Sequence, residues 1–134
     1  MRITVLYLLL IVSCNLNLNA QVLDNFDNFF VDKTMRIDYF HIGDAQTEII
    51  TIDQIYKYGI WAGSRAHLID EFNVGRYCVK IYNKNSEELI YSKGFDSYFG
   101  EYKTSTPALD GIKKSYHESA IIPYPKIIIK EAIN

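Results

Sequence analysis

Gly75-Arg76-Tyr77-Cys78-Val79-Lys80-Ile81-Tyr82-Asn83 runs into Lys84-Asn85-Ser86, and Glu87 to Phe95 returns. In the first segment Tyr77, Val79 and Ile81 share one face, and Cys78, Lys80 and Tyr82 share the other. This period of two is that of a strand, and the polar triplet has the composition of a turn. The stretch predicts a β-hairpin and sets the reading of its neighbours. Thr34 to His41 alternates in the same way, with Met35, Ile37, Tyr39 and His41 against Arg36, Asp38 and Phe40, and Gly43-Asp44 ends it. Glu48 to Tyr56 is rich in Ile and Thr, residues that suit a pleated surface. Gly59 to Asn73 reads as a long loop, and Gly100 to Gly111 as a second one closed by Pro107. Lys113 to Ile122 and Lys126 to Ile133 read as a last pair of strands, broken by Pro123-Tyr124-Pro125. Gln21 to Asp32 is polar and aromatic, either a leader segment or a short helix that packs Phe26, Phe29 and Phe30. No segment shows a sustained helical period. The expected fold is all-β, an antiparallel immunoglobulin-like sandwich of six or seven strands over residues 32–134, with 21–31 as leader.

A chain of 134 residues is enough for one domain. Eleven Tyr, seven Phe and one Trp supply large side chains for a core. The formal net charge is −2 with signs interspersed, which argues against nucleic acid as a partner and leaves no basic stripe for a membrane surface. Arg2 is the only charge before Asp24, and Ile3–Val12 carries none. That pattern is a secretory signal over residues 1–20, with Leu18-Asn19-Ala20 before Gln21 as its cleavage site. Ile11-Val12-Ser13-Cys14 offers the alternative of a lipobox, with acylation at Cys14 anchoring the protein. Either reading exports the chain to the periplasm, cell surface or exterior. Either also leaves Cys78 without an intramolecular partner, so no disulfide is expected, and Cys78 reads as a buried, inert thiol.

Several blocks occur in a fixed order. They are Asp32 to Asp44, Gly59-Ile60-Trp61-Ala62-Gly63-Ser64, Leu68-Ile69-Asp70, Leu89-Ile90-Tyr91-Ser92, Gly94 to Glu101, His117-Glu118-Ser119, and Pro123-Tyr124-Pro125-Lys126. Together they resemble the N-terminal domain of the IgA peptidase family of secreted bacterial zinc metallopeptidases. The resemblance covers about Asp32 to Ile133. It implies export, a β-sandwich and an accessory role beside a C-terminal catalytic domain, the expected partner, which this chain lacks. A zincin needs two imidazoles one helical turn apart and a glutamate to activate water. Here His117-Glu118 begins such a motif, but position 121 is Ile, and His41 and His67 lie far from it. No catalytic residue, metal site or cofactor is therefore expected.

The remaining candidates each have two readings. Trp61, between glycines, is an anchor for a sugar ring or partner protein, or it plugs the end of a core. Arg65, with Asp70 and Glu71 nearby, binds a ligand or pairs within its loop. Tyr98, Phe99 and Tyr102 flank Gly100-Glu101, and they cover a pocket, dock onto a neighbouring domain or pack across an open edge. Ser64 lacks the glycine-flanked elbow of a serine nucleophile, because Ala62 and Ala66 stand where the glycines would be. Two function classes follow. One is an accessory domain that folds, orients or targets a peptidase module. The other is an independent surface module that binds glycan or host protein.

Overall fold

The computed structural model describes residues 24–126 and 129–133. The order of elements is α1 (Asp24–Phe29), β1 (Phe30–Gly43), β2 (Glu48–Tyr58), β3 (Tyr77–Asn83), β4 (Leu89–Phe95), α2 (Tyr98–Tyr102), α3 (Thr106–Leu109), β5 (Lys114–Pro125) and β6 (Ile129–Ile133). The strands form two three-stranded sheets, β2-β1-β5 and β4-β3-β6, and every pair is antiparallel. The fold is all-β, as the alternation predicts. Met35, Ile37, Tyr39 and Ile122 of the first sheet pack in one core with Val79, Ile81, Ile90 and Tyr91 of the second. The predicted hairpin is β3–β4, with Tyr77 opposite Phe95 and Tyr82 opposite Leu89. Cys78 is buried, and among the described residues it has no disulfide partner. The expected signal segment and Cys14 lie outside the described residues.

Three expectations are corrected or sharpened. The last two strands do not pair with each other, since β5 lies beside β1 and β6 beside β3. Pro123 and Pro125 belong to β5 and do not interrupt it. Proline has no N–H for a ladder, so it is confined to edges and bulges. Pro123 sits opposite Thr34, beside the register shift between Val31 and Thr34, on the edge strand of its sheet. The stretch from Gly100 to Gly111 is not a plain loop, because it contains the end of α2 and all of α3. Ser97 caps α2 by accepting from the Gly100 amide at 3.0 Å, and Pro107 stands in the first turn of α3, where a missing N–H is harmless. Of the two readings for the N-terminal segment, the short helix is realised as α1, and it places Phe26 and Phe30 in the main core.

The β1–β2 turn carries an electrostatic device. Gly43 has φ +152°, and a Cβ there would lie 1.9 Å from the Thr47 carbonyl oxygen, so only glycine fits. Next to it the Asp44 carboxylate accepts from the Gln46 and Thr47 amides at 2.9 and 2.8 Å and from Lys113 Nζ at 2.9 Å. The Lys113 bond first, then the two amides, hold the Asp44 carboxyl well below the usual carboxylate range. A depressed folded-state value means stability that is present above the unfolded-state value, about 3.9, and lost as pH falls through the depressed one. Asp44→Asn is therefore expected to lower the neutral-pH melting temperature and to flatten the acid limb of the stability curve below about pH 4. Melting the two proteins from pH 7 to pH 2 checks this, and parallel acid limbs would remove Asp44 from the account.

Candidate functional site

The long connection from β2 to β3 is pinned along its length. Thr34 donates its amide to the Gly59 carbonyl at 2.9 Å and its hydroxyl to the Ile60 carbonyl at 3.1 Å. Trp61 then turns inward, with its ring edge-on to Tyr91 at 6.1 Å and its indole N–H donating to the Ser64 carbonyl at 3.1 Å. The Gly63 backbone lies against that ring, and a Cβ there would come within 2.2 Å of it. Arg65 donates to Asp27 at 2.7 Å, approaches Asp32 at 3.5 Å and lies over the Phe26 ring at 4.5 Å. Further on, the Ser92 amide donates to the Leu68 carbonyl and the Asp70 amide to the Ser92 carbonyl, so the loop covers the edge of β4. Asp70 accepts from Gly94 at 2.8 Å and from Asn73 at 3.0 Å, and these amides hold its carboxyl below the usual range. Between this loop and the sheets lies an open groove of about 790 Å³, walled by Tyr58, Ile60, Trp61, Phe72 and Ile121, with His67 on its lining. Trp61 is half-buried, at once wall and packing residue. Arg65 is engaged with α1 and the start of β1 and does not line the groove.

The second candidate cluster divides in two. Tyr98 is 73% exposed, whereas Phe99 is fully buried and Tyr102 nearly so. Phe99 and Tyr102 fall at i and i+3 of α2 and turn to the same side, where Ala108, Ala45 and Tyr116 complete a small second core. The Tyr102 hydroxyl donates to the Ile112 carbonyl at 2.5 Å. Phe99 and Tyr102 thus lie in the interior, and of this trio only Tyr98 faces solvent.

Beneath α2 lies an arrangement that the sequence did not single out. His41, 1% exposed, presents Nε2 to Glu48 at 2.5 Å and Nδ1 to Glu118 at 3.1 Å. Phe99 stacks on its ring at 4.1 Å, and Tyr77 meets it edge-on at 5.0 Å. The other Glu118 oxygen accepts from the Phe99 amide at 3.2 Å, and Lys103 donates to Glu48 at 2.5 Å. With both carboxylates ionised, each ring nitrogen must donate, because a carboxylate only accepts. Lys103 brings a positive charge to Glu48, the kind of pairing on which a carboxylate is tolerated away from water. Burial opposes ionisation of Glu48, and the bonds from Lys103 and His41 outweigh it, leaving its carboxyl below the usual range. Burial, with the Glu48 charge behind it, pushes the Tyr77 hydroxyl up to about 12. Tyr39 is raised further, by burial and then by Glu118. The two carboxylates face opposite edges of one imidazole, so the ring fills the space that an ion would need. Among the described residues no group of three His, Cys, Asp or Glu side chains has the geometry to hold a metal. His117, on the outer face of β5, pairs with Asp53 at 3.2 Å and lies against Phe40.

The chain therefore combines a packed two-sheet domain, a hydrogen-bonded row of His41, Glu48 and Glu118, and histidines placed in three separate surroundings. A family model described as Peptidase M64 N-terminus matches residues 25–134. The chain belongs to the peptidase M64 N-terminus family. M64 is the IgA peptidase family, so the resemblance carried by the blocks from Asp32 onward holds. The match to the M64 N-terminus runs from the second residue of α1 through β6, so it takes in both sheets and the α2–α3 segment. No curated protein matches the sequence. An M64 N-terminal domain implies a C-terminal peptidase module in its parent protein.

Proposed function

We propose that this M64 N-terminal domain is a non-catalytic accessory domain, exported with its peptidase module, which it helps to fold, orient or target. The observation that carries this reading is the family match across 25–134 on a chain in which His41, Glu48 and Glu118 are paired with one another. Zincin chemistry requires imidazoles converging on one point. Here one imidazole is clamped inside the core, one lines the groove and one lies on an outer face. Export is part of the same proposal, with Ala20-Gln21 as the cleavage point and acylation at Cys14 as the alternative.

The groove beside Trp61 supports a second reading, a surface module for glycan or host protein. It supports it less well, because the indole N–H is already given to Ser64 and the ring leans on Tyr91. The expected result is that the purified chain cleaves neither casein nor immunoglobulin. Joined to an M64 peptidase module, it should raise that module's melting temperature or folding yield. Proteolysis by the chain alone, abolished by chelators, would overturn the proposal, as would a module indifferent to its presence.

A further inference from the structure

The edges of the two sheets are not treated alike. The C-terminal end of the β5 edge carries Pro123 and Pro125, which offer no N–H to an incoming strand. The edge of β4 is covered by the loop through Leu68 and Asp70. By contrast β2, 11 residues long, pairs with β1 on one side, and among the described residues no strand pairs with its other side. It contains no proline; its charges are Glu48, Asp53 and Lys57, and Asp53 is the unpaired residue at the register shift between Asp38 and Tyr39. Its composition also disagrees with its position. An antiparallel strand with one solvated face alternates apolar and polar residues, whereas a strand covered on both faces is apolar throughout. Ile50, Ile52 and Ile55 lie on the side of Ile37, Tyr39 and His41, while Ile49, Tyr56 and Tyr58 lie on the other side. Of these, Ile49 is 61% exposed and Tyr58 66%, and Ile52, Ile55 and Tyr56 are each at least 40% exposed. So β2 exposes aliphatic and aromatic side chains on both faces, interspersed with Thr51, Asp53, Gln54 and Lys57, at an unpaired edge.

The direction of β6 indicates what covers it. That strand runs antiparallel to β3 and reaches Val79 at Ile133. Ile133 lines a hollow of about 460 Å³ together with Glu48, Ile50, Arg76, Tyr77 and Lys103. Anything joined beyond residue 134 thus leaves the domain beside the Glu48 end of the open strand. The Tyr77 hydroxyl on this hollow is buried, and among the described residues no hydrogen-bond partner meets it.

We infer that the free edge of β2 is the docking surface for the peptidase module, which lays an extended aliphatic segment along Glu48–Tyr58. The inference rests on the accessory-domain reading and names its contact surface. Strand addition of this kind draws affinity from backbone hydrogen bonds and selectivity from side chains on alternate faces. Ile52 and Ile55 would flank the side chains of the added segment on the same face of the extended sheet. The tether at the C-terminal end holds the segment at high effective concentration, so modest contacts suffice.

The test is hydrogen exchange on the full chain alone and on the same chain fused at Asn134 to an M64 peptidase module. In the fusion, the amides of Ile50–Lys57 that point away from β1 should slow by at least tenfold. The double variant Ile52→Lys/Ile55→Lys should lose that slowing while its isolated domain keeps a near-normal melting temperature, because both residues are already half-exposed. Tyr98→Ala, on the exposed side of α2, should leave it intact. Slowing confined to the 59–73 loop or to α2 would overturn the β2 assignment and leave the accessory reading standing. No slowing anywhere, with a module indifferent to fusion, would overturn both. Slowing of β2 in the isolated chain that grows with protein concentration would make a second copy the partner and refute the choice of the module.

Discussion

Phe99→Ala is expected to lower stability by about 3–5 kcal/mol, the cost of deleting a fully buried aromatic side chain. The ring stands at the junction of the two cores. It stacks on His41, meets Tyr116 edge-on at 6.2 Å, and packs against Tyr102 at 6.3 Å. Its removal opens a cavity that neither a strand nor a helix of five residues can close by shifting. The effect should appear as a lower urea midpoint with an unchanged slope. Tyr98→Ala, one residue away and mostly exposed, should change stability by no more than about 0.5 kcal/mol. The pair of measurements separates packing from surface. Equal, small losses in both variants would mean that α2 does not plug the sandwich.

Glu118→Ala is expected to cost a similar amount, about 3–5 kcal/mol, for an electrostatic reason. Glu118 satisfies His41 Nδ1 on one oxygen and the Phe99 amide on the other, so its loss strands two buried donors. Glu118→Gln separates the contributions. The amide oxygen can still accept from Phe99 or from His41, but the negative charge is gone, and the loss should be intermediate. A double-mutant cycle between Glu118→Ala and His41→Phe should show strong coupling, because a phenyl ring leaves no donor to strand. Additive losses in that cycle would show that the Glu48–His41–Glu118 row is not a unit.

The sequence determined the strands, because period two and β-branched residues are local properties. Thr34–His41, Glu48–Tyr56 and the Tyr77–Phe95 hairpin are each legible without reference to any other segment. The blocks from Asp32 to Lys126 also carried the family, because their order along the chain is itself sequence information. Partnership between strands was not legible. Lys113–Ile122 and Ile129–Ile133 look like neighbours, yet they belong to different sheets, because the chain crosses between sheets after Pro125 and pairing depends on which edge each strand reaches. The short helix α2 was hidden by its length, since five residues cannot display a period. Its i, i+3 pair of Phe99 and Tyr102 was the one available signal, and the fold turned those two inward while leaving Tyr98 outside.

The His41–Glu48–Glu118 row could not be found from sequence at all. Its members come from three strands, and Glu118 is 77 positions from His41. Nothing local distinguishes Glu48 from any other acid at the start of a strand. Only the registers of β1 with β2 and β5 bring these groups to one depth, and only the lid formed by Phe99 dries them enough for their pairing to matter. The same holds for β2. Its Ile and Thr content marked it as a strand, and tertiary structure alone placed that strand at an open edge, where its isoleucines stand exposed. Local alternation decides what a segment is, while the set of neighbours that shields it from water decides what it is for.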